Sequence, residues 1–185
     1  MSSPRPELPS TRALISSILS QLSVIPAAPA DAASPLPQST HSLLITLNLL
    51  LPSHLVPALN LLDRKLITRL PVRFCTYYVA SQSSDLYYEV RPGIAWNCTC
   101  SAFTFATFNA IDPDEHPGDR TAEGIWGGSS ATAPICAHLL ACVLAEYGGP
   151  VFSALVREED GAEDVEVRAG LAAMGDTACA TLHRL

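Results

Sequence analysis

Charge is scarce in this chain of 185 residues: only 16% of it is charged, against 48% hydrophobic. There is material for a core, although fifteen prolines and repeated Ser/Ala runs leave part of the chain outside it. Positive charge is scarcest in the second half. Through residue 75, six Arg/Lys stand against three acids; from Thr76 onward, five stand against fifteen, and the whole carries a formal −7. Affinity for nucleic-acid backbones comes largely from Lys and Arg neutralising phosphates. Any work on nucleic acid is therefore expected to run through a partner.

Cysteine is also sparse. Six in 185 residues is far below the roughly 8–10% of a disulfide scaffold. The first twelve residues carry Arg5, Glu7 and Arg12 among prolines and serines, so no secretory leader is expected. An intracellular, soluble protein follows, in which thiols bind metal or pack as apolar groups rather than pair. There is no G-x-x-x-x-G-K-[ST] phosphate loop and no H-x-E with P-C-x-x-C deaminase pattern. Residues 43–62 contain no charged side chain, and about twenty apolar residues would span a bilayer. Pro52, Ser53, His54, Pro57 and Asn60 interrupt them, and the freed polar groups would be costly in lipid. A buried helical hairpin is expected instead, with no membrane span.

Leu14, Ile15, Ile18, Leu19 and Leu22 recur at three- and four-residue steps, which predicts an amphipathic helix over about residues 11–23. Ser10 or Thr11 can cap it and Pro26 ends it. Two roles stand: a helix docked on the domain, or one that lays its apolar stripe in a partner's groove. A Pro/Ala/Ser linker follows, so residues 1–38 form a flexible N-terminal region holding one helix. Thr40 is expected to cap a second helix and Ser53 a third, carrying Leu55, Val56, Leu59 and Leu62. Both are apolar nearly all round and are expected to be buried.

A strand zone comes next. Residues 66–70 are short and β-prone, and residues 73–80 and 85–91 are rich in Tyr, Phe and Val. With residues 94–96 leading into the first cysteine pair, the pattern predicts a three-stranded antiparallel β-meander. Phe103, Phe105 and Phe108 belong to an apolar block of no clear period. Residues 109–133 read as an inserted acidic loop, in which His116 is one more solvated polar group among Asp112, Asp114, Glu115 and Asp119. Pro134 opens a helix through Leu139, Leu140, Val143 and Leu144, stopped by Gly148-Gly149-Pro150. The class is α+β. A domain over residues 39–150 joins the hairpin to the meander and its C-terminal helix, and residues 151–185 form an acidic tail.

Two tight pairs stand out: Cys98-Thr99-Cys100, and Cys136-Ala137-His138. Three Cys and one His are a standard tetrahedral zinc set. Residues two apart in a strand lie about 6.5 Å apart along it, too far for two sulfurs on one ion at about 2.3 Å each. The chain must bend at Thr99. Residues two apart in a helix point about 200° apart, so Cys136 must lie at the helix entry, with His138 in its first turn. Cys98, Cys100, Cys136 and His138 are thus the predicted metal ligands, and no catalytic residue is assigned. Four protein ligands leave no open position for the water a catalytic zinc needs. Cys75, Cys142 and Cys179 read as small buried hydrophobes.

This C-x-C…C-x-H pattern resembles the SWIM-type zinc finger, a β-strand and helix unit. Ala102 and Phe103 after the first pair, and Leu139-Leu140 after the histidine, match its flanks. Ala58-Leu59-Asn60-Leu61-Leu62-Asp63-Arg64, then Ile67-Thr68, then the run from Cys98 through Phe105 look like the small SWIM proteins of the Shu complex. The resemblance covers about residues 43–147. The gap between ligand pairs is longer here, and the linker and acidic tail have no obvious counterpart. It implies a bound zinc ion, a nuclear location and a heteromeric complex with a RecA-like recombinase paralogue. The complex would support recombinase filaments on single-stranded DNA in homologous recombination. The alternative is a zinc module that binds single-stranded nucleic acid directly. Arg64, Lys65, Arg69 and Arg73 would meet phosphates, and Tyr77, Tyr78, Tyr87 and Tyr88 would stack bases.

Overall fold

A computed structural model describes residues 10–26, 37–70, 76–83, 86–93, 96–109 and 134–158. Most of the predicted linker and acidic tail lie outside these residues, as do residues 110–133 with His116, and Arg73, Cys75 and Cys179.

Three helices come first. In α1 (Thr11–Ser23) the Ser10 hydroxyl accepts from the Ala13 amide, the expected cap. Its stripe of Ile15, Ile18, Leu19 and Leu22 is buried, and the helix is docked against α2 (Gln38–Leu50) and the helix Ala137–Tyr147. Two expected caps are not used. α2 begins at Gln38, before Thr40, whose buried hydroxyl has no hydrogen-bond partner among the described residues. α3 (Leu55–Asp63) is preceded by His54, with no side-chain cap. Pro57 falls in its first turn, where an amide would lack an intrahelical acceptor anyway.

The hairpin forms as expected but is not buried all round. Leu44, Leu47, Leu55, Ala58, Leu61 and Leu62 face the core, whereas Ile45, Leu49 and Val56 are 52%, 76% and 64% exposed. A hairpin docked along one side cannot cover both faces of its helices. Among the described residues, no helix is long and apolar enough to cross a membrane.

The sheet is larger than the predicted three-stranded meander, and it is mixed. Four strands run antiparallel in sequence: β1 (Ile67–Arg69), β2 (Tyr77–Ala80), β3 (Tyr87–Arg91) and β4 (Asn97–Cys98). A fifth, β5 (Arg157–Glu158), pairs parallel to β1, giving the order β4-β3-β2-β1-β5. β5 was invisible because it is two exposed charged residues without apolar alternation. Register places Ile67 opposite Val79, Val79 opposite Tyr88, Tyr77 opposite Val90, and Val90 opposite Cys98. Alternation then puts all of these on one face, turned towards the helices.

Three helices complete the domain: α4 (Ser101–Asn109), α5 (Ala137–Tyr147) and α6 (Pro150–Ser153). α5 begins at Ala137, three residues later than Pro134 suggested. Every residue from Leu139 to Ala145 is buried, because α3 and α1 pack on it and β3 and β4 pass beneath. Each fully buried Leu there is worth about 1.5–3 kcal/mol of transfer free energy, which makes α5 the axis of the core. α6 extends that core beyond residue 150 by burying Phe152.

Candidate metal centre

Each ligand segment is delivered by a local device. β3 and β4 bring Cys98 to the end of the sheet, opposite Val90. Thr99 then holds on to Glu89: its amide donates to the Glu89 carbonyl and its hydroxyl accepts from the Glu89 amide, both at 3.0 Å. The chain bends at Cys100 and enters α4, with the Phe103 amide 3.3 Å from the Cys100 sulfur. The second pair repeats the arrangement. Cys136 is the N-cap of α5 in extended conformation, and the Leu139 amide donates to its sulfur at 3.4 Å. Two helix N-termini, each with partial positive charge, thus face the same thiols. The entry position of Cys136 and the first-turn position of His138 agree with the spacing argument; the bend between the first two cysteines falls at Cys100, one residue after the expected Thr99, because Thr99 is still held to Glu89.

Trp96 links the two halves. It is buried, with φ +31°, and its indole N–H donates to the Pro134 carbonyl at 2.8 Å. The residue two before Cys98 is thereby tied to the residue two before Cys136. Sequence offered no sign of this, because the contact spans 38 positions.

The structure brings all four predicted ligands together. Their donor atoms lie within 4.8 Å of one another, and Cys98 Sγ is 3.9 Å from His138 Nδ1. Metal–sulfur bonds of about 2.3 Å on a tetrahedron require sulfurs about 3.8 Å apart, so the donor set fits one small cation. The three cysteines are buried and His138 is half-buried. The Tyr88 ring lies against the His138 imidazole, centroids 4.5 Å apart and planes at 32°.

Electrostatics favour a cation. Hydrogen bonds from Cys136 and then Cys98 pull the Cys100 thiol far below its ordinary range. The same contacts hold Cys98 and Cys136 protonated: hydrogen bonding with Cys100 is the main cause in each, and burial adds to it. A positive ion at this place would favour the ionised form of all three thiols. The four cysteines among the described residues are free thiols. Cys142 is buried within α5, and burial pushes its thiol up, in keeping with an apolar role.

The other flagged residues disperse. Tyr77 is buried with its hydroxyl on Glu146, and Tyr88 is half-buried with the His138 ring against it. Tyr78 is half-buried, while Tyr87 is 59% exposed. Arg69 pairs with Glu146 at 3.4 Å, and Arg64 donates to Gln82 at 3.2 Å. Phe103 is buried, but Phe105 and Phe108 are each 69% exposed.

Compared with known proteins, the chain matches no family model, no curated protein and no solved structure. The likeness to SWIM-type zinc fingers stands on the ligand pattern and its flanks.

Proposed function

We propose that the protein is a non-catalytic, zinc-binding interaction subunit. It would pair with a RecA-like recombinase paralogue in the nucleus and promote recombinase filaments on single-stranded DNA during homologous recombination. The observation that carries the metal reading is the gathering of three buried cysteine sulfurs and one imidazole nitrogen within 4.8 Å. Thiolate-rich sets of four suit zinc in a structural role, where the ion joins segments of chain and supplies folding energy. Here the segments are the end of β4, the entry to α4 and the entry to α5. Four protein donors leave no position for a reacting water, which favours binding over catalysis.

The partner comes from the resemblance, and the exposed surface favours one place for it. The apolar candidates for contact are the N-terminal helix, the phenylalanine block and the outer side of α5. The apolar stripe of α1 is spent on the core, and α5 is buried along most of its length. Phe105 and Phe108 remain, one helical turn apart on an uncharged helix directly after Cys100. Exposed aromatic pairs on a rigid helix suit a protein interface, and the absence of charge on α4 suits a phosphate backbone poorly.

The test is to purify the native complex from its own cells, then repeat with Phe105→Ser/Phe108→Ser. A RecA-fold ATPase that co-purifies with the native chain and is lost from the folded, zinc-loaded variant supports the proposal. A ubiquitin-ligase component or a transposase in its place sinks it. So does tight, salt-sensitive binding of single-stranded DNA by the isolated protein.

A further inference from the structure

A histidine ligand needs something to choose which ring nitrogen it offers. The orientation of the ring about its terminal bond decides which nitrogen faces an ion, and metal-binding imidazoles are usually fixed by a hydrogen bond from the other ring nitrogen to a carboxylate or carbonyl. Among the described residues, the hydrogen-bonding contacts of His138 are with the ligand cysteines: Nδ1 with Cys98 Sγ, and the side chain with Cys100. What lies against the ring is an aromatic face.

We propose that Tyr88 is a positioning residue for the metal: its ring backs the His138 imidazole and turns Nδ1 towards the thiols, so that His138 binds the ion through Nδ1. The inference rests on the metal reading above and goes beyond it.

Register explains why Tyr88 can do this. Tyr88 lies opposite Val79 and two residues before Val90, which pairs with Cys98. Alternation therefore puts Tyr88 on the same face of the sheet as Cys98, the face on which α5 packs. His138, in the first turn of α5, meets it there, with ring centroids 4.5 Å apart. From that position Nδ1 is the nitrogen 3.9 Å from Cys98 Sγ.

The contact also distinguishes the loaded from the empty site. An imidazole bound to a dication carries part of its charge, and a cation within about 6 Å of a tyrosine face is attracted by the ring quadrupole. The attraction is weaker for neutral imidazole. Only such a difference between two states shifts the equilibrium between them. Tyr88 thereby raises metal affinity as well as filling space.

The experiment uses the full-length protein and competition against a zinc chelator of known affinity. Four proteins are compared: native, Tyr88→Phe, Tyr88→Leu and Ile67→Val. Phenylalanine keeps the aromatic face and leucine keeps only apolar bulk. Ile67→Val trims the buried sheet on β1, outside the metal cluster, and reports what stability loss alone does to affinity. Long-range proton–nitrogen NMR identifies the metallated nitrogen of His138, and the cobalt-substituted spectrum reports the ligand geometry. The expected result is Nδ1 metallation and an unchanged cobalt spectrum in the native and Phe proteins. Tyr88→Leu should weaken zinc by about tenfold, beyond the Ile67→Val control at equal stability loss, and should alter the spectrum. Metallation at Nε2 in the native protein overturns the inference alone. A Leu variant that matches Phe does the same. A native protein that binds no zinc overturns both this and the metal reading.

Discussion

The Tyr77 hydroxyl donates a hydrogen bond to the Glu146 carboxylate, joining the second strand of the sheet to the last turn of α5. Arg69 reaches the same carboxylate from β1 at 3.4 Å. Glu146 is the one acidic residue of α5, and its side chain is only 4% exposed. A carboxylate buried in this way is tolerable because it is paired and hydrogen-bonded. Tyr77→Phe removes the phenol and leaves a buried charge short of a donor, so it should destabilise by about 1–3 kcal/mol. Urea unfolding of the zinc-loaded protein measures this, and a change smaller than a few tenths would show that the bond is immaterial.

The same pair sets the response to alkali. Burial, and then the charge of Glu146, push the Tyr77 phenol well above its ordinary value. Tyrosine in an unfolded chain ionises near 10. The folded state therefore keeps a proton that the unfolded state gives up. The stabilisation is complete below about pH 10 and is lost as pH climbs above it. Cys142, raised by burial, acts with the same sign from about pH 8.5. Unfolding midpoints between pH 8 and 11 should fall less steeply for Tyr77→Phe and for Cys142→Ala than for the native chain. Parallel curves would refute both assignments.

The ligand set was legible in the sequence because its constraints are local. Strand and helix periods alone require the chain to leave the strand between the first two cysteines and place Cys136 at a helix entry; the structure has the helix entry, and its bend falls at Cys100 rather than at Thr99. The α1 stripe was legible for the same reason, although its docked position depended on partners elsewhere in the chain. What was hidden depends on register and on distant neighbours. Tyr88 looked like any sheet tyrosine until pairing with Val79 fixed its face. Arg157 and Glu158 have no strand signal of their own and pair only because α6 returns the chain to β1. Ile45, Leu49 and Val56 read as core because composition does not tell which faces of a hairpin will be covered. Thr40 read as a cap because its residue type favours one, yet α2 extends past it towards Pro37.

Removing the metal tests the centre directly. Cys98→Ser or His138→Ala should abolish tight zinc binding, with the native protein holding one ion per chain by elemental analysis. Zinc-finger peptides draw on the order of 10–16 kcal/mol from their ion. Here the ion would join β4, α4 and α5, and α5 is the axis of the core. Hydrogen exchange should therefore lose protection across the sheet and α5 in either variant, as in native protein treated with chelator. If either variant stays protected without zinc, the apolar core alone organises the domain.

Gly149 tests whether α1 belongs to that core. It stands between α5 and α6 at φ +82°, and a Cβ built on it would lie 2.9 Å from Ser23 Cα and 3.0 Å from the Leu22 carbonyl oxygen. Two costs follow for Gly149→Ala: about 1–3 kcal/mol for a side chain at φ +82°, ψ −172°, a region that is essentially glycine's alone, and displacement of the end of α1. Gly93 separates them. Its φ is +84°, but among the described residues a Cβ there would meet only the Tyr147 hydroxyl oxygen, at an ordinary 3.4 Å. Gly93→Ala should therefore show a positive-φ cost without the displacement of a neighbouring helix. Gly149→Ala should lower the unfolding midpoint further and open the chain after Ser23 to proteolysis under native conditions. Equal losses in the two variants would mean that α1 yields freely, which would return the detachable, partner-binding helix to consideration.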